Sequence, residues 1–267
     1  MANNSSAKNT AIKELLFQLA DDDFIHSYRG SEWLGLAPHI EEDIATSSIT
    51  QDTMGHAAIF YQLLEELGEG NANQLAHDRP ANERRNAIIL ELVNGPGSYM
   101  EQPDYDWAFA VVRNYFYTQA KAIKIQSLHS SSYEPLAEVA AKVQMELYYH
   151  LMHWKTWFVQ LLGSGHEEAV SRMKAAIEKT LQDFQGVFSL GEHGNIIVQQ
   201  GLIESEAVLL TKWNQAVSPI LESVGLEGPI KVGMAQGDGR NGKHTEDLEK
   251  ALETLCEVYA SNKAASW

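Results

Sequence analysis

Apolar positions recur along this chain at helical spacing rather than in strict alternation. From Thr10, "TAIKELLFQLADDDFIHSYRGSEWLGLAP" sets Ile12, Leu15, Leu16, Leu19, Phe24 and Tyr28 close to one helical stripe. Pro38 marks a break, since proline disfavours helical geometry in the residue before it. A second helix is predicted from about Glu41 to Leu67, stopped by Gly68-Glu69-Gly70. The stretch from Asn71 to Asp106 reads as irregular, punctuated by Pro80, Asn94-Gly95-Pro96-Gly97 and Pro103, with a short helix near Asn82–Leu92. A third long helix is predicted over Asp106–His129 and a fourth over Pro135–Leu162, ended by Gly163-Ser164-Gly165. Two more follow at about His166–Phe184 and Glu204–Glu222, then a glycine-rich loop from Gly225 to Gly242 and a last helix opening at Thr245.

No segment combines alternation with enough β-branched residues to build a sheet, and no repeat of solenoid length occurs. Two long helices, an irregular crossover and two more long helices describe an all-α, ferritin-like four-helix bundle. The helices after Gly165 would extend it. The expected organisation is one domain over residues 1–267, with residues 1–10 a disordered tail.

Composition narrows the function classes. The 267 residues are 44% hydrophobic and 21% charged, a globular mix, with a formal net charge of −16. Such an acidic balance argues against nucleic-acid binding, which needs a basic face, and favours a partner with a basic patch. Cys256 is the single cysteine, so no intramolecular disulfide is expected. "MANNSSAKNT" lacks the apolar core of an export signal, and no apolar run approaches the ~18 residues of a membrane span. A cytoplasmic protein is expected.

Candidate chemistry centres on the second helix. In "SITQDTMGHAAIFYQLLEELG" His56 stands where a di-iron bundle would place the histidine of Glu-x-x-His, but Thr53 stands three residues before it. Glu32, Asp52, His56, Glu146 and His150 all fall on long helical segments, with Asp52/His56 and Glu146/His150 at i,i+4 spacing on one helix face. Three carboxylates and two histidines could ligate a hard or borderline metal. The plainer reading is an ordinary pair of helix-surface contacts, worth a few tenths of a kcal/mol. The third long helix weakens the metal reading: "VVRNYFYTQAKAIKIQSL" has no carboxylate from Val111 to Leu128 and offers Thr118 and Lys121 instead. A lysine ammonium at the centre would repel a divalent cation and could take over its charge-balancing role. Alternatively, the Lys121 stem lies along the bundle with its head in solvent. His150 and His153 in "HLMH" and the aromatic runs at Tyr115–Tyr117 and Tyr148-Tyr149 fit core or interface packing. "QGDGRNGKHTEDL" lacks phosphate-loop spacing and follows no strand, and Thr245 as N-cap accounts for its end.

"RGSEWLG", "EEDIATSSITQDTMGHA", "ELVNGPG", "MELYYHLMHW" and "NGKHTEDL" together carry a family likeness from about Leu16 to Trp267. The chain resembles the non-catalytic subunits of the bacterial multicomponent oxygenases that epoxidise the ring of phenylacetyl-coenzyme A. That resemblance implies a ferritin-like structural subunit with no cofactor of its own. It further implies a homologous catalytic partner that holds the di-iron centre, and electrons supplied from NADPH through a separate reductase. The partner's motif glutamates fall at Thr53 and Leu147 of this sequence, its motif histidines at His56 and His150, its first-helix ligand at Glu32 and its third-helix ligand near Thr118. The motif then reads as a vestige. Asp52 and Glu146 are expected to point beside the old site, since one residue rotates a side chain about 100° round a helix. Glu32, His56 and His150 are expected to stay near the bundle centre, tied together with Lys121. In isolation a homodimer is expected, through the first two helices. The rival reading is a metal-binding ferritin-like oxidoreductase using Glu32, Asp52, His56, Glu146 and His150. A weaker one is a free-standing acyl-coenzyme A binder.

Overall fold

The computed structural model describes residues 2–263 and 265, with side chains from Ser6 onward. Among them the regular elements are helices, and no strand occurs. The first hairpin is α1 (Ala2–Ser31) and α2 (Ile40–Glu66). α1 begins at Ala2 where a disordered tail to residue 10 was expected, and Met1 lies outside the described residues. The crossover holds two short helices, α3 (Ala72–His77) and α4 (Ile88–Glu91), with a 3-10 turn at Ala81–Glu83. The second hairpin is α5 (Trp107–Leu128) and α6 (Glu134–Leu162). Beyond Gly163 come α7 (Glu167–Asp183), α8 (Gln185–Phe188), α9 (Gly194–Gln199) and α10 (Glu206–Ser223). The chain finishes with α11 (Glu246–Leu255) and α12 (Glu257–Ser261). The long helices fall within two residues of their predicted ends after α1. The short α3, α8, α9 and α12 give too few turns for a periodic signal.

α1 packs along α2, and α5 along α6, in the manner of a ferritin-like bundle. The "RGSEWLG" glycine has a packing reason: a Cβ on Gly30 would collide with Thr50 Oγ1 of α2, so the two helices close on a bare backbone. α7 and α10 also pack against α5. With neighbours all round, α5 is buried along nearly its whole length, including Arg113, Lys121 and Lys124. A helix so enclosed must find partners for its cations inside the protein, because a charge taken from water without one is shed or neutralised. The Gly225–Gly242 segment is irregular, as expected. It returns across the bundle and is fastened by Arg240, itself 2% exposed.

Candidate functional site

The centre of the bundle is built on three consecutive aspartates of α1, Asp21, Asp22 and Asp23, all buried. Three successive helical residues point in directions about 100° apart. They therefore meet three different neighbours. Asp23 faces α5, where Lys121 Nζ stands 2.8 Å from its Oδ2, an ion contact lying off the ideal hydrogen-bond line. The Tyr117 hydroxyl, one turn earlier on α5, donates to Asp23 Oδ1 at 2.9 Å. The same Lys121 ammonium donates to His56 Nδ1 on α2 at 2.8 Å. An ammonium has no acceptor lone pair, so His56 must be neutral with its proton on Nε2. That Nε2–H donates to Glu146 Oε2 on α6 at 2.6 Å. Burial, the Lys121 ammonium and His150 together push the His56 pKa down to about 2, in agreement with the neutral tautomer.

His150 of α6 makes the reciprocal link, its Nε2 lying 2.9 Å from Asp52 Oδ2 on α2. The two rings are 6.4 Å apart. The i,i+4 pairs read from spacing are thus exchanged between helices: Asp52 serves His150, and Glu146 serves His56. The two carboxylates lie beside the bundle centre, each bonded to a histidine of the other helix. Because α2 and α6 run antiparallel, the 100° offset turns each carboxylate toward the facing helix. Both sit at the rim, with side chains 41% and 50% exposed respectively, and cap histidines that are nearly fully buried. Burial pushes the Glu146 carboxyl up, and the neighbouring Asp52 adds to that. Burial holds His150 below its ordinary value even though Asp52 pulls it the other way.

Glu32 does not join this cluster. It lies just beyond the end of α1, nine residues or about 13 Å of helix rise from Asp23. There it accepts from Arg29 Nη1 at 3.0 Å and from Asn94 Nδ2 at 2.8 Å. Asn94 also donates to Arg29 O and accepts from the buried Arg113. "ELVNGPG" and Glu32 therefore belong to a network joining the crossover to α1 and α5. The α1 carboxylate that faces His56 through Lys121 is Asp23, which spacing from the family motif did not single out. A signal existed: a run of three aspartates inside an apolar helix cannot all face solvent.

The remaining motif positions are plain. Thr53 turns its hydroxyl back to Ile49 O on its own helix, at 2.8 Å. Leu147 packs in the hydrophobic core, and Thr118 is buried on α5. The plain reading of Lys121, a solvated head, is overturned, since the side chain is 7% exposed. Of the other candidates, His153 pairs with Glu42 at 3.1 Å, and Thr245 caps α11 by accepting from Asp247 N. His244 and Thr245 also bind the buried Glu91, so "NGKHTEDL" anchors the last helices.

A ferritin-like bundle implies a di-iron centre, and these residues do not fit one. Two irons need bridging carboxylates and free histidine lone pairs. Here Thr53 spends its hydroxyl on its own helix, Leu147 packs in the core, and the inward nitrogen of His56 is bonded to an ammonium. Among the described residues, no three His, Cys, Asp or Glu side chains converge in a metal-binding geometry. Nor is any described helix long and apolar enough to cross a membrane.

Comparison with known proteins gives the chain a family. The chain is 28% identical over 239 residues to one of the subunits of the 1,2-phenylacetyl-CoA epoxidase of Escherichia coli (strain K12), covering 89% of this chain and 92% of that protein. Residues 1–267 match the family described as Phenylacetic acid catabolic protein. The chain belongs to that family.

Proposed function

We propose that this chain is a non-catalytic subunit of a multicomponent oxygenase that converts phenylacetyl-coenzyme A to its ring-1,2-epoxide. On this reading it holds and stabilises a homologous di-iron catalytic subunit in the cytoplasm, and electrons reach that partner from NADPH through a separate reductase. One observation carries the proposal. The chain's own ammonium, Lys121, stands between Asp23 and His56 in the middle of the bundle. A divalent cation placed there would be repelled, since like charges a few ångströms apart in a protein interior repel by several kcal/mol. The bundle keeps its shape because Lys121 supplies the positive charge that ties α1, α2 and α5 together. What the fold then offers is a rigid helical body for a partner.

The purified chain, reconstituted anaerobically with ferrous iron, is expected to retain no stoichiometric metal and to form no epoxide alone. Co-expressed with the homologous catalytic subunit, it is expected to co-purify with it and to be needed for its epoxidase activity. A pair of tightly held irons in the isolated chain, or turnover without the partner, would overturn the proposal and restore the metalloenzyme reading.

A further inference from the structure

The α2–α6 side of the molecule is unlike the rest of its surface. Ile40 and Ile44 on α2 and Met145, Tyr148 and Tyr149 on α6 are each 65% to 72% exposed, and Met152 is 52% exposed. They lie on one side. Glu42–His153, Asp52–His150 and Glu146–His56 contacts run the two helices side by side and antiparallel. Tyr149 shares a helical stripe with Glu146 and His153, and Ile44 shares one with Asp52, so both flank that seam. Tyr148 packs edge-on against Tyr149 with ring centres 5.3 Å apart. Leu34 and Leu36, in the turn leading into α2, are exposed as well. Contiguous apolar surface of this kind, edged by polar groups, marks a contact with another protein.

Charge says which kind of partner. α2 carries Glu41, Glu42, Asp43, Asp52, Glu65 and Glu66, and neither Lys nor Arg. Indeed the whole chain between Arg29 and Arg79 has no Lys or Arg. A second copy laid on this face would bring the same acidic α2 with it, leaving only Lys142 and Lys155 of α6 to answer those carboxylates. We infer that the α2–α6 face docks a helical partner surface with an apolar centre and Lys or Arg side chains at its rim. The inference rests on the proposed function and names the surface on which the catalytic subunit is held. The apolar side chains supply the contact area, and the acidic, cation-free α2 sets the orientation of a basic partner.

The test measures binding of the full chain to the homologous catalytic subunit and, separately, the sedimentation of each chain alone. Ile44→Asp combined with Tyr149→Asp alters two exposed positions and should leave the fold intact, which thermal melting checks. It is expected to raise Kd about 100-fold, the loss usual for two central interface side chains. Val208→Asp, on α10 away from this face, should leave Kd unchanged. Glu41→Lys should weaken binding several-fold at low salt and flatten its salt dependence. Binding undiminished by the double substitution would overturn the surface and spare the proposed function. Failure of the wild-type chain to bind at all would instead overturn the function. A homodimer of the wild-type chain that the same double substitution splits would give the face to a second copy and overturn the inference.

Discussion

Asp21 and Asp23 are two positions apart on α1, both buried and both facing cationic side chains, yet their carboxyls shift in opposite directions. Burial pushes the Asp21 carboxyl up, but Arg79 and Arg84 more than offset it and hold the group below its ordinary value. Burial also pushes Asp23 up, and there the single Lys121 ammonium offsets only part, leaving the group above its ordinary value. Asp22 is held by an arginine too, the Arg240 guanidinium donating to both its oxygens at 2.9 and 2.8 Å. The arginine layers clamp irregular chain, the crossover and the Gly225–Gly242 segment, onto α1 with planar, permanently charged forks. The lysine layer joins the long helices themselves. What separates them is what the cation must do. A loop needs an unconditional anchor, whereas the bundle centre needs a charge small enough to sit among Asp23, Tyr117 and His56.

The contrast is sharpest on removing each cation. Arg240→Met should be the most damaging change, costing about 3–5 kcal/mol, the usual result of stranding one member of a buried ion pair. Arg240 also donates to the carbonyls of Arg85, Gly186 and Ser189, so its loss frees the returning segment as well as Asp22. Urea unfolding measures it. Lys121→Met should cost less, about 1–3 kcal/mol, the penalty for leaving buried polar groups without a partner. Asp23 is already pushed up, and without Lys121 it can take a proton and stay buried as a neutral acid. The deficit should therefore shrink as pH is lowered from about 8 to about 5, because protonation removes the buried charge. A Lys121→Met deficit as large as that of Arg240→Met and flat with pH would erase the distinction.

The helical framework was open to reading because long helices write their period over many turns, as α2, α5 and α6 do. Lys121 could be picked out because a cation on a helix without carboxylates is conspicuous. Other features were hidden for definite reasons. The partner exchange of Asp52 and Glu146 depends on the antiparallel approach of α2 and α6, which no spacing within one helix encodes. Glu32 was drawn to the centre by motif alignment, although the rise of α1 carries it well past Asp23. The buried roles of Arg240 and Glu91 join residues more than 150 positions apart. Their local sequence resembles any charged loop or turn.

A pH-dependent effect separates the layers in the wild-type chain. His26, His56 and His150 are all depressed, His26 chiefly by burial and then by Arg113 and Lys121. Their sign is that of a group kept neutral by folding. Above the unfolded value of about 6.5 neither state binds the proton, and below it the unfolded chain takes up protons that the folded chain refuses. Stability should fall as pH drops below about 6.5, by at most about 1.4 kcal/mol per pH unit for each histidine. For His56 the loss should continue down to its folded value of about 2. The raised Asp23 and Glu146 work in the opposite sense, since the folded state gains their protons first. His56→Gln should remove one proton from the slope of stability against pH over this range, read from urea midpoints at a series of pH values. An unchanged slope would mean that His56 titrates normally in the fold.

The smallest expected effect lies at the rim and bears on what Glu146 is for. Its carboxylate accepts from the Nε2–H of a neutral His56, and half of its side chain is open to water. Neutral imidazole needs only an acceptor there, and the amide oxygen of glutamine provides one. Glu146→Gln should therefore change stability by no more than about 0.5 kcal/mol, the scale of solvent-exposed pairs. The same substitution separates the two accounts of the site. Were Glu146 a metal ligand, losing its charge would lower divalent-cation affinity, and Co(II) titration of the wild type and the variant would differ. If Lys121 fills the centre, both titrations should show the same absence of saturable binding. The comparison of the layers then holds to its outer edge, with fixed charge where loops are clamped and replaceable polar contact where the histidines meet water.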